Sequence, residues 1–151
     1  MPIAARYAHT SIVARDWKRL ARFYEEVFGC AFLPPERDAR GPWAEELTGI
    51  PAVHVRGGHL RLPGWGDQGP TLEIFQYNLP AEGPVPAVNR PGLAHLAFQV
   101  PDVGAAQEAV LAAGGRDYAR RVSVEIPGAG TIDLTYVTDP EGNLIELQRW
   151  S

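Results

Sequence analysis

The chain has 151 residues, 45% of them hydrophobic and 21% charged, with a formal net charge of −4 and a pI near 5.5. That is ordinary globular composition, long enough for about one domain with a real core. Mild acidity without a basic stripe excludes nucleic acid and anionic membrane surfaces as expected partners, and no apolar run reaches transmembrane length.

Residues 5–13 read as a strand, with Tyr7, His9, Ser11 and Val13 on one face and Ala8, Thr10 and Ile12 on the other. Asp16 is placed to N-cap a helix whose apolar stripe is Trp17, Leu20, Ala21, Tyr24, Val27 and Phe28. Gly29 stands where a left-handed cap is wanted. Cys30, the only cysteine, cannot form an internal disulfide and reads as a small core residue. The N-terminal Met1–Tyr7 has no apolar signal core, so a reducing cytoplasm is expected. Weaker strands are expected at 31–34, 52–57 and 59–62, a helical turn at 43–47, a loop at 64–67, and a strong strand over Thr71–Tyr77. His54 and His59 read as ordinary strand residues. Arg56 and Arg61 have the charge to bind an anionic group, though a solvated edge is the simpler reading.

Between 79 and 92 stand Pro80, Pro84, Pro86 and Pro91, with Gly83 and Gly92, which excludes a regular helix or central strand. The order then repeats. Leu93–Val100 is a strand, and Asp102 caps a helix carrying Val103, Ala106, Val110 and Ala113. Gly114-Gly115 ends that helix, and strands follow at about 121–126 and 131–138. Asp139-Pro140-Glu141-Gly142-Asn143 is a tight turn before a last strand, Leu144–Gln148.

The two halves share more than their order. His9 is followed by Asp16 and Gly29, and His95 by Asp102 and Gly115, at seven and twenty residues in both cases. Each half closes on a carboxylate between aliphatic residues, Leu72-Glu73-Ile74 and Ile145-Glu146-Leu147. This is a βαβββ module present twice, at about 4–79 and 92–150, joined by a Pro/Gly-rich linker in one domain. Strand alternation sends the aliphatic neighbours toward the helices. It sends His9, Glu73, His95 and Glu146 to the concave face, with Tyr7, Ser11, Phe75, Tyr77, Gln99 and Gln148. One lone His or Glu in a strand is usually structural. Four at matched positions of a duplicated unit point to a metal site. Two imidazoles and two carboxylates suit a divalent first-row ion with open positions, one that polarises a carbonyl while a carboxylate moves a proton on the adjacent carbon.

Tyr7-Ala8-His9-Thr10-Ser11-Ile12-Val13 with Asp16, Phe23-Tyr24 and Phe28-Gly29 resembles the opening of the vicinal oxygen chelate superfamily. That superfamily includes glyoxalase I, methylmalonyl-CoA epimerase, fosfomycin- and bleomycin-resistance proteins and extradiol dioxygenases. Gly92–Val100 with Asp102 resembles the opening of its second module, and Asp139–Leu147 its closing turn and ligand strand. The resemblance implies an α+β fold, two βαβββ modules forming an incomplete barrel around a metal. It implies ligands at His9, Glu73, His95 and Glu146, and Glu at the second position makes the chain similar to bacterial glyoxalase I. The implied activity is that of a metal-dependent lyase, isomerase or epimerase of the glyoxalase group, lactoylglutathione lyase-like. It would act on a small-molecule substrate with one divalent ion (Zn, Ni, Mn, Co or Fe), as a homodimer. Glu73 or Glu146 serves as base, and Tyr7, Tyr77 and Gln99 are pocket candidates. Two rivals stand beside it. One is a ferrous extradiol-type dioxygenase using His9, His95 and Glu146. The other is a non-catalytic binder of a toxin or antibiotic, suggested by Trp43, Trp65, Phe75 and Tyr77.

Overall fold

In both halves a helix capped by an Asp lies on a sheet with an inner strand that carries one Glu between two buried aliphatic residues. The computed structural model describes Met1–Ser151, in two compact units, Met1–Glu82 and Gly83–Ser151. The fold is α+β, with two open sheets and three helices.

In the first unit the Asp16 carboxylate accepts from the Arg19 N–H at 3.1 Å, and Gly29 takes the left-handed conformation, φ 69°. Between these caps α1 (Trp17–Phe28) buries Trp17, Leu20, Ala21, Phe23 and Tyr24. The sheet runs β1 (His9–Val13), β4 (Thr71–Tyr77), β3 (His54–Arg61), β2 (Ala31–Arg40). β1 is parallel to β4, and the other pairs are antiparallel. Leu72 and Ile74 are fully buried; side chains of this size each contribute about 1.5–3 kcal/mol on burial. A short helix, α2 (Pro42–Thr48), follows β2, and a 3-10 turn covers Gly66–Gln68.

Three of the strand boundaries that differ from expectation lie in this first unit. The first strand begins at His9 rather than residue 5, opposite Thr71, where its partner β4 begins. The two short strands expected at 52–57 and 59–62 are one strand, β3. Its Gly57-Gly58 pair lies where neighbours crowd the backbone: a Cβ on Gly57 would meet the Ile74 carbonyl oxygen at 2.0 Å, and one on Gly58 the Phe32 ring at 2.5 Å. β2 extends past the expected 31–34 to Arg40. It takes Pro34-Pro35 at a register shift between Leu33 and Arg37, which an edge strand tolerates.

The second unit repeats the plan. β5 (His95–Gln99) is parallel to β9 (Leu144–Trp150), which pairs antiparallel with β8 (Gly130–Thr138). β6 (Arg116–Asp117) and β7 (Val122–Ile126) both pair with β8, so together they fill the place of β2. Asp102 caps α3 (Val103–Ala112) by accepting from Ala105 N–H at 2.9 Å. Ile145 and Leu147 are fully buried. The segment 79–92 holds no helix or strand, as its prolines require. No helix is long and apolar enough to cross a membrane.

Candidate metal centre

Register builds the same arrangement in each unit. In the first, Glu73 on β4 stands opposite Ser11 on β1 and opposite His59 on β3. Directly opposed residues on one face of a sheet place their Cβ atoms about 4.5–5.5 Å apart. The His59 Nε2 lies 3.1 Å from Glu73 Oε2, and His9, one side-chain step from Ser11, brings its Nε2 to 3.5 Å from the same oxygen. The two imidazole rings meet edge to face, centroids 5.1 Å apart. One ligand atom from each of His9, His59 and Glu73 falls within 4.8 Å of the others. The second ring nitrogen of His59 is engaged as well, with Nδ1 2.8 Å from Thr71 Oγ1. The basicity of His59 is lowered, chiefly by burial, with the charges of Arg37 and His9 acting the same way against the attraction of Glu73. The neutral imidazole, the ligating form, is thereby favoured.

In the second unit Glu146 on β9 stands opposite Ala97 on β5 and opposite Tyr136 on β8. The His95 Nε2 is 3.1 Å from Glu146 Oε2. The Gln148 amide donates to Glu146 Oε1 at 3.2 Å and itself accepts from the Trp150 indole N–H at 2.6 Å. The Tyr136 ring lies edge-on to His95, centroids 5.2 Å apart. The Tyr136 phenol has its pKa raised by burial, then by the negative charge of Glu146 and the hydrogen bond it gives to that carboxylate. His9 thus corresponds to His95, Glu73 to Glu146, and His59 to Tyr136.

His59, read from sequence as an ordinary strand residue, therefore lies in the cluster. The missed signal was the hairpin register: pairing 54–61 against 71–77 puts His59 across from Glu73. Tyr136 was missed for the same reason. His54 faces away on the opposite parity and bonds Asp38 Oδ1 at 2.9 Å. Arg61 is ion-paired with Asp67 at 3.2 Å, and Arg56 is an exposed residue on the His54 side of the strand. Tyr7 precedes β1, and its hydroxyl meets that of Thr10, which is on the face away from His9. Gln99 ends β5 opposite Gln148 and is exposed.

Tyr77 has a clearer place. It lines a cavity of about 390 Å³ with Phe75, Val55, Trp43, Leu47 and Arg37. Phe75 and Tyr77 lie two and four residues beyond Glu73, and Val55 four before His59, so cavity and cluster share one face of the first sheet. Gly57 stands between them, where a Cβ would come within 2.6 Å of the Phe75 ring. Such a cavity accepts an apolar group of a few heavy atoms beside the cluster.

A sequence model of the Glyoxalase/Bleomycin resistance protein/Dioxygenase superfamily matches residues 6–147. A Vibrio parahaemolyticus protein named probable lactoylglutathione lyase is 30% identical over 144 residues, covering 94% of this chain and 88% of that protein. A glyoxalase family protein from Bacillus cereus aligns with a TM-score of 0.78 at 22% identity, over 99% of this chain and 96% of the other. A genomically encoded fosfomycin resistance protein from Listeria monocytogenes aligns at 0.61 and 16% identity, over 99% and 96%. At these identities the two structures establish the fold.

Proposed function

Because the chain belongs to the glyoxalase/bleomycin resistance protein/dioxygenase superfamily, we propose that it is a metal-dependent lyase or isomerase that moves a proton on carbon next to a carbonyl. The proposed ligands of its one divalent ion are His9, Glu73, His95 and Glu146. One observation carries this reading: each unit brings a His Nε2 to 3.5 Å or less from a Glu oxygen at the same register of the same strand pair. Neutral imidazoles and carboxylates fit a first-row ion such as Zn, Ni, Mn, Co or Fe. Such an ion supplies the Lewis acidity that polarises a substrate carbonyl.

The chain's own residues do the rest. We assign the proton to Glu146, whose oxygens receive His95, Gln148 and Tyr136, whereas Glu73 is flanked by two imidazoles. Tyr136 and Gln148 orient the Glu146 carboxylate. The Trp150 indole in turn holds the Gln148 amide, so the carboxylate is positioned by two successive hydrogen bonds on one strand. Phe75, Tyr77 and Trp43 would take an apolar substituent of the substrate and exclude water there. The name of the Vibrio relative supports lactoylglutathione lyase-like chemistry as the nearest activity to test. We place the protein in the cytoplasm, which its lone buried thiol Cys30 suits, and as a homodimer, as the family resemblance implies.

The test is isotope exchange. Metal-loaded protein is incubated in deuterated water with 2-oxoaldehyde–thiol adducts and 2-substituted acyl thioesters, and label at the α-carbon is followed by NMR. Exchange lost in Glu146→Gln supports the reading. A specific observation keeps the oxygenase as second reading: His9, His59 and Glu73 are two histidines and a carboxylate, the set used by ferrous oxygenases. Oxygen uptake by the iron-loaded protein with a catechol, without any α-carbon exchange, would favour it.

A further inference from the structure

We infer that His59 is itself a metal ligand, so that the first unit holds the ion through three of its own residues, His9 Nε2, His59 Nε2 and a Glu73 oxygen. This rests on the metal-dependent reading above and adds to it a ligand that the repeat does not supply. Ligands at about 2.0–2.2 Å from a zinc-sized ion stand roughly 3.0 Å apart at neighbouring octahedral positions and roughly 3.4 Å apart in a tetrahedron. The separations from Glu73 Oε2, 3.1 Å to His59 and 3.5 Å to His9, match that spacing.

Charge gives a second reason. The Glu73 side chain is only 12% exposed, and both of its ionic partners are imidazoles. A nearly buried carboxylate is costly unless it is paired, and a divalent ion held between it and the two imidazoles would remove that cost. The surroundings of His59 give a third. A ligating histidine commonly hands its other ring N–H to an oxygen that fixes the ring, and Thr71 Oγ1 at 2.8 Å from Nδ1 is placed for this. With Nδ1–H donating to Thr71, the Nε2 lone pair points toward Glu73 and the ion. The second unit has a phenol, Tyr136, at the equivalent register. It has one imidazole beside its carboxylate where the first unit has two. The half-sites are therefore unequal, with the first as the anchor for metal.

The experiment is a titration of the purified, metal-stripped full chain with Co²⁺, read by calorimetry and by the visible absorption of the bound ion. Wild type, His59→Ala and His59→Gln are compared, with circular dichroism of each metal-free sample as the check on folding. Losing a direct ligand should weaken binding by more than the 10–100-fold typical of losing an outer partner, with a changed spectrum. Unchanged affinity and spectrum in both His59 variants, with wild type binding normally, overturns the inference and leaves the proposed function standing. Failure of the wild type to bind Co²⁺, Zn²⁺ or Fe²⁺ overturns both. Should the His59 variants misfold, pulsed EPR of the Cu²⁺-loaded His95→Ala variant decides. Coupling to two imidazoles supports His59 as a ligand, and coupling to one overturns it.

Discussion

Removing the Asp139 carboxylate should both unfold the protein more easily and displace Glu146. Asp139 is fully buried at the turn that leads into β9. Its Oδ1 accepts from the N–H groups of Glu141 at 2.9 Å and Asn143 at 3.0 Å, and its Oδ2 accepts from the Asn143 amide at 2.8 Å. Asp139→Ala leaves three donors without this acceptor. Each orphaned donor costs about 1–3 kcal/mol, less whatever entering water recovers, so a net loss of about 3–5 kcal/mol is expected. For a chain of this length that lowers the melting temperature by roughly 6–20 °C. Asp139→Asn keeps an oxygen for the two backbone donors and turns an NH₂ toward the Asn143 amide, so it should cost about 1–2 kcal/mol. Urea unfolding of the three proteins measures the difference, and isotope exchange on the folded variants reads the displacement of Glu146. Equal stability of Asp139→Ala and wild type within 0.5 kcal/mol, or a larger loss in Asn than in Ala, would refute the reasoning.

Glu146→Gln should lower α-carbon exchange by about 10²–10⁴-fold, the usual scale of a lost general base, while Glu73→Gln should chiefly weaken metal binding; a larger exchange loss in Glu73→Gln at saturating metal would reverse the assignment. Trp43→Ala opens the cavity wall formed with Leu47 and Phe75, so KM should rise for substrates with an apolar substituent and stay near wild type for short ones; a uniform change across the series would place the substituent elsewhere. The Cys30 thiol is pushed up to about 11, first by burial and then by the Glu25 charge, so at pH 8 iodoacetamide should label the unfolded protein and spare the native one. The folded state keeps that proton above the unfolded thiol's ordinary value of 9.0, so this contribution to stability is complete below pH 9 and is lost as pH rises toward about 11; a rise in stability over that interval would contradict the burial of the thiol.

Much of the architecture is legible because the repeat and strand parity act together. Asp16 and Asp102 cap their helices as their places before apolar stripes suggest, and both β4 and β9 bury the aliphatic neighbours of their Glu. The matched glycines show where pattern stops being mechanism. Gly29 is a left-handed cap with open space around its Cβ position. Gly115, at the same offset, has a negative or extended φ; its Cβ would instead meet the Thr138 carbonyl at 2.4 Å and Val110 Cγ1 at 2.5 Å. In the second unit Gly114 is the residue with positive φ, 94°. One spacing serves two different physical needs, helix capping in one unit and close helix–strand approach in the other.

What could not be read from the repeat is the third position of each candidate cluster, because it lies on a strand without a shared motif. His59 and Tyr136 are equivalent only through pairing, each opposite the Glu of its own unit. Neither spacing from His9 nor spacing from His95 reveals them, since β2 with α2 and β6 with β7 fill the intervening chain differently. The two units therefore carry the same His and Glu where the strand order is the same, and differ in the residue opposite each Glu. Under the proposal an imidazole there adds a ligand, whereas a phenol there gives a hydrogen bond to the Glu146 carboxylate. The consequence for the proposed chemistry is a division of labour, metal anchored around Glu73 and the proton handled at Glu146. It predicts opposite signatures for one conservative pair of changes. His59→Gln should lower metal affinity with little change in exchange rate once metal is saturating. Tyr136→Phe should leave metal affinity near wild type and slow exchange by the roughly 2–10-fold of one lost hydrogen bond. If both variants moved both readouts alike, the two half-sites would be working as equals and the division would be wrong.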